Sequence, residues 1–189
     1  MHYDHIKTIS NKLVTKYPAC LQDLDEVIFN DDNEMLFKQN NFPQVSVLNL
    51  DIAEIERCKS LAINRSRTMD LAFYLSNDYN YVQMQLVELR FNYKNLANLH
   101  KIALDEKIIG AQNVLNILNC VMANKFIFVF KKNLTQQARS RLNRMNPRVP
   151  SSYVVMDIVE LKKAFFSKFL LTHSVFIKVN KNQLSPLTI

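Results

Sequence analysis

The stretch from Thr68 to Asn95, TMDLAFYLSNDYNYVQMQLVELRFNYKN, decides the fold of this chain. Its first half, DLAFYLS, places apolar residues at alternate positions, and SNDYN is typical of a polar turn. The second half is again rich in aliphatic and aromatic residues. The stretch therefore predicts two neighbouring strands of one sheet. Asp70 stands at the head of the first strand, and Glu88-Leu89-Arg90 lies inside the second.

The second strand changes the positions of its apolar residues part-way along. They fall at even positions up to Leu86 and at odd positions from Val87 to Tyr93. One explanation is a β-bulge, which re-aims side chains and often lies beside an active site. The other is a central strand whose two faces are both buried. The sequence leaves both explanations open.

Helices and strands alternate along the rest of the chain. The predicted elements are a helix over 2–16, a hairpin or two helical turns over 20–42, a strand over 42–50, a helix over 52–63 with Asp51 as N-cap, a helix within 95–123, a strand over 125–132, a helix over 135–146, a strand over 152–157, a helix over about 157–171 and an edge strand over 174–179. This order predicts an α/β (or α+β) fold with a mixed central sheet flanked by helices.

We expect one domain over residues 1–189. Its parts are an N-terminal helix with an acidic hairpin or turns over 1–44, an α/β core over 45–161, and a C-terminal helix with an edge strand over 162–189.

Composition excludes several functional classes. Gly110 is the single glycine, so the glycine-rich loops that cradle nucleotide phosphates are excluded. Three widely spaced cysteines argue against a disulfide framework and for a reducing compartment. The first residues contain no apolar signal-peptide core, and the most apolar run, over 164–179, is too short and too charged to span a membrane. We therefore expect a cytoplasmic protein without a membrane partner.

Charge is unevenly distributed in this basic chain, whose formal net charge is +7. No Asp or Glu occurs from Lys107 to Met156, whereas six acids and no basic residue occur over 23–34. The segment 125–148, called the basic segment below, predicts phosphate contacts with nucleic acid. Its candidate binding residues are Lys131, Lys132, Arg139, Arg141, Arg144 and Arg148. A protein partner for the basic segment or for the acidic segment 23–34 is the alternative, and an ordinary solvated surface is another.

The central hairpin resembles the core of the PD-(D/E)XK nuclease superfamily over roughly residues 45–160. Met69-Asp70 stands where that family has Pro-Asp, and Glu88-Leu89-Arg90 stands where it has an acid, any residue and Lys. The resemblance implies a restriction-endonuclease-like core, here with an N-terminal helical extension. It also implies metal-dependent phosphodiester hydrolysis of DNA or RNA. By this analogy Asp70 and Glu88 hold Mg²⁺, and Glu54 is a further candidate ligand.

Arg90 is the main departure from the family pattern. Arginine keeps the positive charge of lysine but does not readily release a proton, so it stabilises charge and is poorly suited to activating water. Lys94 lies on the same face of the strand, about 13 Å further along, and is too distant to replace it. Two alternatives to an active nuclease therefore stand. The first is a nuclease-like protein of weak or lost activity. The second is a non-enzymatic immunity, accessory or nucleic-acid-binding protein in which Glu88 and Arg90 form an ion pair.

Overall fold

The computed structural model describes residues 1–31, 41–97 and 99–172. Within these ranges the chain has an α/β fold in which one mixed sheet carries helices on both faces, so the predicted fold class is confirmed. The strands are β1 (His2–Tyr3), β2 (Leu21–Asp23), β3 (Ser46–Asn49), β4 (Leu71–Ser76), β5 (Val82–Arg90), β6 (Met122–Phe130) and β7 (Tyr153–Met156). The helices are α1 (His5–Ile9), α2 (Lys12–Lys16), α3 (Leu24–Asp31), α4 (Leu50–Leu61), α5 (Lys101–Leu115), α6 (Lys132–Asn143) and α7 (Ile158–Leu161), which continues through a π-helical turn, Lys162–Phe166, into 167–172.

The strands of the sheet follow the order β2-β3-β4-β5-β6-β7, and β1 pairs with the far end of β4. Strands β2 to β5 are antiparallel neighbours, whereas β5, β6 and β7 run parallel. The carboxyl ends of β5 and β6 and the beginning of β4 therefore lie at the same end of the sheet. This is the end at which Asp70 and Glu88 are found.

Strand β5 is a central strand buried on both faces. Its pairing with β4 is regular from Val82 to Val87, and every residue from Met84 to Leu89 is buried. The second explanation of the change in apolar positions is thus confirmed for the hairpin. A register irregularity does occur between β5 and β6, near Met84. The even-numbered residues of β5 are apolar up to Leu86 and charged at Glu88 and Arg90.

Two apolar cores cover the two faces of the sheet. Ala72 and Tyr74 of β4 contribute to the core beneath α2, α4, α5 and α6. Leu71, Phe73 and Leu75 contribute to the core beneath α3 and the C-terminal helix. Because side chains alternate along a strand, the even positions Asp70 and Glu88 face the side covered by α5.

The N-terminal region differs from its prediction. The helix over 2–16 is replaced by β1 and two short helices, because Asn11 accepts hydrogen bonds from the N–H groups of Leu13 and Val14 and starts a new helix. Of the two predictions for 20–42, the hairpin is wrong, because Leu24–Asp31 is helical. Leu21–Asp23 pairs with β3, and Asp23 then caps helix α3 by accepting from the N–H groups of Asp25 and Glu26. Residues 32–40 lie outside the described residues.

Smaller corrections concern element boundaries. Asn49 caps α4 in place of Asp51, since its side chain accepts from the Ile52 N–H. Helix α5 begins at Lys101, six residues later than the start of the predicted range. The predicted helix over 135–146 spans Lys132–Asn143. The edge strand over 174–179 lies outside the described residues.

The three cysteines are free thiols, and Cys20 and Cys58 are buried. In the described ranges, no helix combines the length and the apolar character needed to cross a membrane.

Candidate active site

Asp70 and Glu88 occupy neighbouring positions on adjacent strands. Leu71 pairs with Val87, so Asp70 and Glu88 each lie one residue beyond that pair, on the face covered by α5. The Leu89 N–H donates a hydrogen bond of 2.5 Å to Asp70 Oδ2, which fixes one carboxylate against the neighbouring strand. The two carboxylates predicted from the hairpin are therefore brought together.

Lys107 of α5 joins these two carboxylates. Its Nζ lies 2.5 Å from Glu88 Oε1 and 3.4 Å from Asp70 Oδ1. The backbone also holds the helix at this point, because the Met69 N–H donates to the Lys107 carbonyl at 3.2 Å. We call Asp70, Glu88, Arg90 and Lys107 the charged cluster.

Arg90 is the second cation of the charged cluster. Its Nε lies 3.0 Å from Glu88 Oε1, an ion pair without the alignment of a hydrogen bond. Its Nη1 donates to the Tyr93 hydroxyl at 2.9 Å, and the guanidinium lies 5.1 Å from the centre of the Tyr93 ring. The predicted ion pair between Glu88 and Arg90 is present, and Arg90 is held in place from two sides.

Burial dominates the electrostatics of the charged cluster. The Glu88 side chain is 1% exposed, and those of Asp70 and Lys107 are 18% and 21% exposed. Burial raises the pKa of Asp70 to about 6, against the opposing effects of Lys107 and the Leu89 N–H. Burial and the nearby Asp70 hold the pKa of Glu88 well above its usual range. Burial alone would lower the pKa of Lys107, but the two carboxylates outweigh it and raise that pKa.

The two carboxylates of the charged cluster are compatible with a magnesium site in which the protein supplies few of the ligands. Glu88 Oε2 is buried, and no described residue forms a hydrogen bond with it. The described residues contain no group of three or more His, Cys, Asp or Glu side chains suited to a metal. Mg²⁺ is commonly held by one or two carboxylates, completed by water and substrate phosphate. Asp70 and Glu88 supply such a pair.

Glu54, the further candidate ligand, has other partners. Its carboxylate accepts from Arg57 Nε at 2.6 Å and Arg57 Nη2 at 3.1 Å. It also accepts from the Ser66 N–H at 2.8 Å and the Cys58 thiol at 3.3 Å. The Glu54 side chain is buried within α4. These contacts join α4 to the segment before Asp70, and we leave Glu54 out of the proposed ligand set.

The acidic segment 23–34 contributes to the fold over its described part. Asp23 caps α3, and Asp25 accepts from the N–H groups of Phe42 at 2.9 Å and Asn41 at 3.2 Å. Asp31 accepts from the Phe91 N–H at 3.3 Å, just beyond Arg90. These contacts give Asp23, Asp25 and Asp31 structural roles within the chain.

The residues of the basic segment occupy different environments. Arg139 donates two hydrogen bonds of 2.7 Å to Glu160 and a longer one to the Val155 carbonyl, so it connects α6 to α7. Lys132 and Arg148 are exposed. Arg141 and Arg144 line two adjacent clefts beside α6.

Two residues of this region were missed by sequence reasoning. Lys107 stands 17 residues after Arg90, in a helix, and no local motif connects it to the hairpin. Gly110 carries a clearer signal, since it is the single glycine and lies inside a helix. A β-carbon on Gly110 would lie 1.9 Å from the carbonyl oxygen of Arg67. The glycine thus permits the close approach of α5 that brings Lys107 to the carboxylates.

Comparisons with profiles of known protein families, with curated protein sequences and with solved structures found no significant match to this chain.

Proposed function

We propose that this chain is a nuclease-like protein that hydrolyses phosphodiester bonds of DNA or RNA in a metal-dependent reaction. The observation that carries the proposal is the position of Lys107, whose ammonium contacts carboxylates on two adjacent strands. The hairpin motif carries Arg90 where the family has lysine, and helix α5 supplies a lysine from another element. The charged cluster therefore contains the two acids and the amine that the resemblance implies.

Each residue of the charged cluster has a distinct task in this proposal. Asp70 and Glu88 would hold Mg²⁺, which lowers the pKa of a bound water and polarises the phosphate. Lys107 supplies N–H donors and positive charge, which stabilise the negative charge that develops on the phosphate. Arg90 is a positioning residue, because its contacts with Glu88 and Tyr93 hold the Glu88 carboxylate in place.

A non-enzymatic accessory or immunity protein is the second candidate function. The burial of Glu88 favours it, since a carboxylate that is 1% exposed and paired with two cations also forms a stable structural ion cluster. In that case the charged cluster would join β4, β5 and α5 without binding substrate.

Cleavage assays separate the two candidates. Supercoiled plasmid, linear duplex DNA and single-stranded RNA are incubated with the protein and Mg²⁺ or Mn²⁺. Beside the wild type we would test D70N/E88Q, which keeps the shapes of the two side chains and removes their charge. The matched control is E26Q/E56Q, which neutralises two acids of α3 and α4 outside the charged cluster.

The nuclease proposal predicts metal-dependent cleavage by the wild type and the control, and none by D70N/E88Q. If folded wild type leaves all three substrates intact with both metals, the nuclease proposal is wrong for these substrates. The non-enzymatic function is then the better explanation of the charged cluster.

A further inference from the structure

A cleft of about 420 Å³ lies between helix α6 and the loop that follows β5. It is lined by Leu96, Ala97, Gln136, Gln137, Ser140, Arg141 and Arg144. Arg141 and Arg144 also line a second cleft of about 340 Å³, which extends to His100 and Lys101 at the start of α5. The two arginines thus form a ridge between two neighbouring clefts.

Both arginines of this ridge have nitrogen donors that form no hydrogen bond with a described residue. Arg141 Nε is buried and has no hydrogen-bond partner among the described residues. A buried donor without a partner costs free energy. The Arg144 Nε donates to the Ser140 carbonyl at 3.1 Å, and its terminal nitrogens form no hydrogen bond or ion pair with a described residue. Lys101 is different, because its ammonium is paired with Asp105.

The side chains that line the two clefts are suited to binding phosphate. No acid lines the described wall of either cleft, and the first adds two glutamine amides and a serine hydroxyl to the guanidinium groups. Arginine, glutamine and serine side chains are common donors to the phosphates of nucleic acids. Arginine in particular presents a planar fork that matches two phosphate oxygens.

Helix α5 connects the second cleft to the charged cluster. Its first residue, Lys101, lines that cleft. Lys101 and Lys107 belong to the same helix, and six residues of helix span about 9 Å. That length corresponds to about three nucleotides at roughly 3.4 Å each. A single strand of a few nucleotides is therefore long enough to extend from Lys101 to Lys107.

We propose that the Arg141–Arg144 ridge binds backbone phosphates of the polynucleotide on which the charged cluster acts. The inference rests on the proposed function for the identity of that polynucleotide. It revises the set of binding residues predicted from the sequence, since it assigns phosphate binding to Arg141 and Arg144. It assigns Arg139 a structural contact with Glu160 and gives no role in the cleft to Lys132 or Arg148.

Equilibrium binding of fluorescent 12-nucleotide probes tests the proposal. The full chain is titrated against single-stranded DNA, single-stranded RNA and duplex DNA in EDTA, so that binding is measured without cleavage. R141Q/R144Q is compared with K132Q/R148Q, which removes the same number of positive charges from exposed positions outside the two clefts. Thermal melting verifies that both variants are folded, and R144Q alone is measured if the double variant is not.

We expect R141Q/R144Q to bind at least one probe roughly tenfold or more weakly than K132Q/R148Q does, since each lost contact is a charge-assisted hydrogen bond. For a single strand, the slope of log affinity against log salt should also fall by about 1.4, the value for two phosphate contacts. Equal affinities for the two variants on every probe would overturn the proposal. So would displacement of the probes by polyglutamate as efficient as displacement by unlabelled oligonucleotide. The cleavage assay with D70N/E88Q tests the nuclease proposal, and the binding assay in EDTA tests this one. Failure of one proposal is therefore distinguishable from failure of the other.

Discussion

Glu88 lies beside three charged side chains in a part of the molecule that water hardly reaches. Lys107 and Arg90 offset its negative charge, whereas Asp70 adds to it. Removing one partner of a buried ion pair typically destabilises a protein by about 3–5 kcal/mol, because the remaining charge keeps its desolvation cost. Changes at single positions of the charged cluster therefore need a measurement of stability beside any measurement of activity.

Lys107→Met removes the ammonium and keeps most of the length of the side chain. We expect cleavage to slow by about 10²- to 10³-fold, the usual effect of losing one donor to a developing negative charge. Lys94→Met is the matched control, because Lys94 is the exposed lysine that follows the hairpin motif in sequence. Single-turnover cleavage rates, measured on samples shown to be folded by circular dichroism, provide the test. If K107M cleaves as fast as K94M, Lys107 has no part in the reaction.

The raised pKa of Asp70 predicts how stability changes with pH. The folded state holds this proton up to about pH 6, whereas the unfolded chain releases it near pH 4. The contribution of this proton to the free energy of unfolding is therefore complete below pH 4 and is lost as the pH rises through 6. The raised pKa of Glu88 makes a contribution of the same sign, which is lost over a higher pH range. Between pH 5 and 9 we expect the free energy of unfolding to fall by about 1.4 kcal/mol from Asp70 alone.

Urea unfolding in EDTA at a series of pH values measures this effect. The D70N/E88Q variant should give a flatter profile than the wild type, since both titrating groups are absent. Parallel profiles for the two proteins would show that neither carboxyl group has a raised pKa in the folded state.

Helix α5 carries Lys107 and depends on a close contact one turn later. At Gly110 the helix lies directly against the backbone of Arg67, three residues before Asp70. The Met69 N–H bond to the Lys107 carbonyl lies in the same contact. The distance from Lys107 to the carboxylates is thus set by how two backbone segments pack.

Gly110→Ala tests this packing, because the sign of its effect on the free energy of unfolding is informative. In an unhindered helix, alanine is more stable than glycine by about 1 kcal/mol. Here the new β-carbon meets a carbonyl oxygen, so we expect a destabilisation of about 1–3 kcal/mol and slower cleavage as α5 moves away. The free energy of urea unfolding and the cleavage rate are measured together. Asn113→Ala, at an exposed position of the same helix, is the control. A more stable G110A protein would contradict the close approach.

Metal binding should stabilise the molecule as a whole. A ligand that binds only the folded state raises the free energy of unfolding by RT ln(1 + [L]/Kd). For Mg²⁺ at ten times its Kd we expect Tm to rise by about 3–6 °C in a chain of this size. The rise should disappear in D70N/E88Q and remain in E26Q/E56Q. Equal rises in all three proteins would place the metal somewhere other than Asp70 and Glu88.

Local pattern predicted much of the architecture correctly. Alternating apolar residues predicted the hairpin of β4 and β5, and with it the neighbouring positions of Asp70 and Glu88. The order of elements predicted a mixed sheet with helices on both faces. Prediction was incomplete over 20–42, where the asparagines and aspartates of 30–33 favoured a hairpin over helical turns, whereas Leu24–Asp31 is a helix that Asp23 caps. A capping residue and a turn residue have the same chemistry, so only the neighbouring structure distinguishes them.

The composition of the charged cluster was decided by tertiary structure. Strand periodicity places Asp70, Glu88 and Arg90 on one face, because that spacing is a property of the strand alone. It contains no information about which helix covers the face, and so it does not predict Lys107 on α5. The same is true of Arg139, which looks like a surface cation in sequence and is bound to Glu160 in the fold. Contacts between elements depend on how whole helices pack, whereas the alternation within one strand can be read directly from its residues.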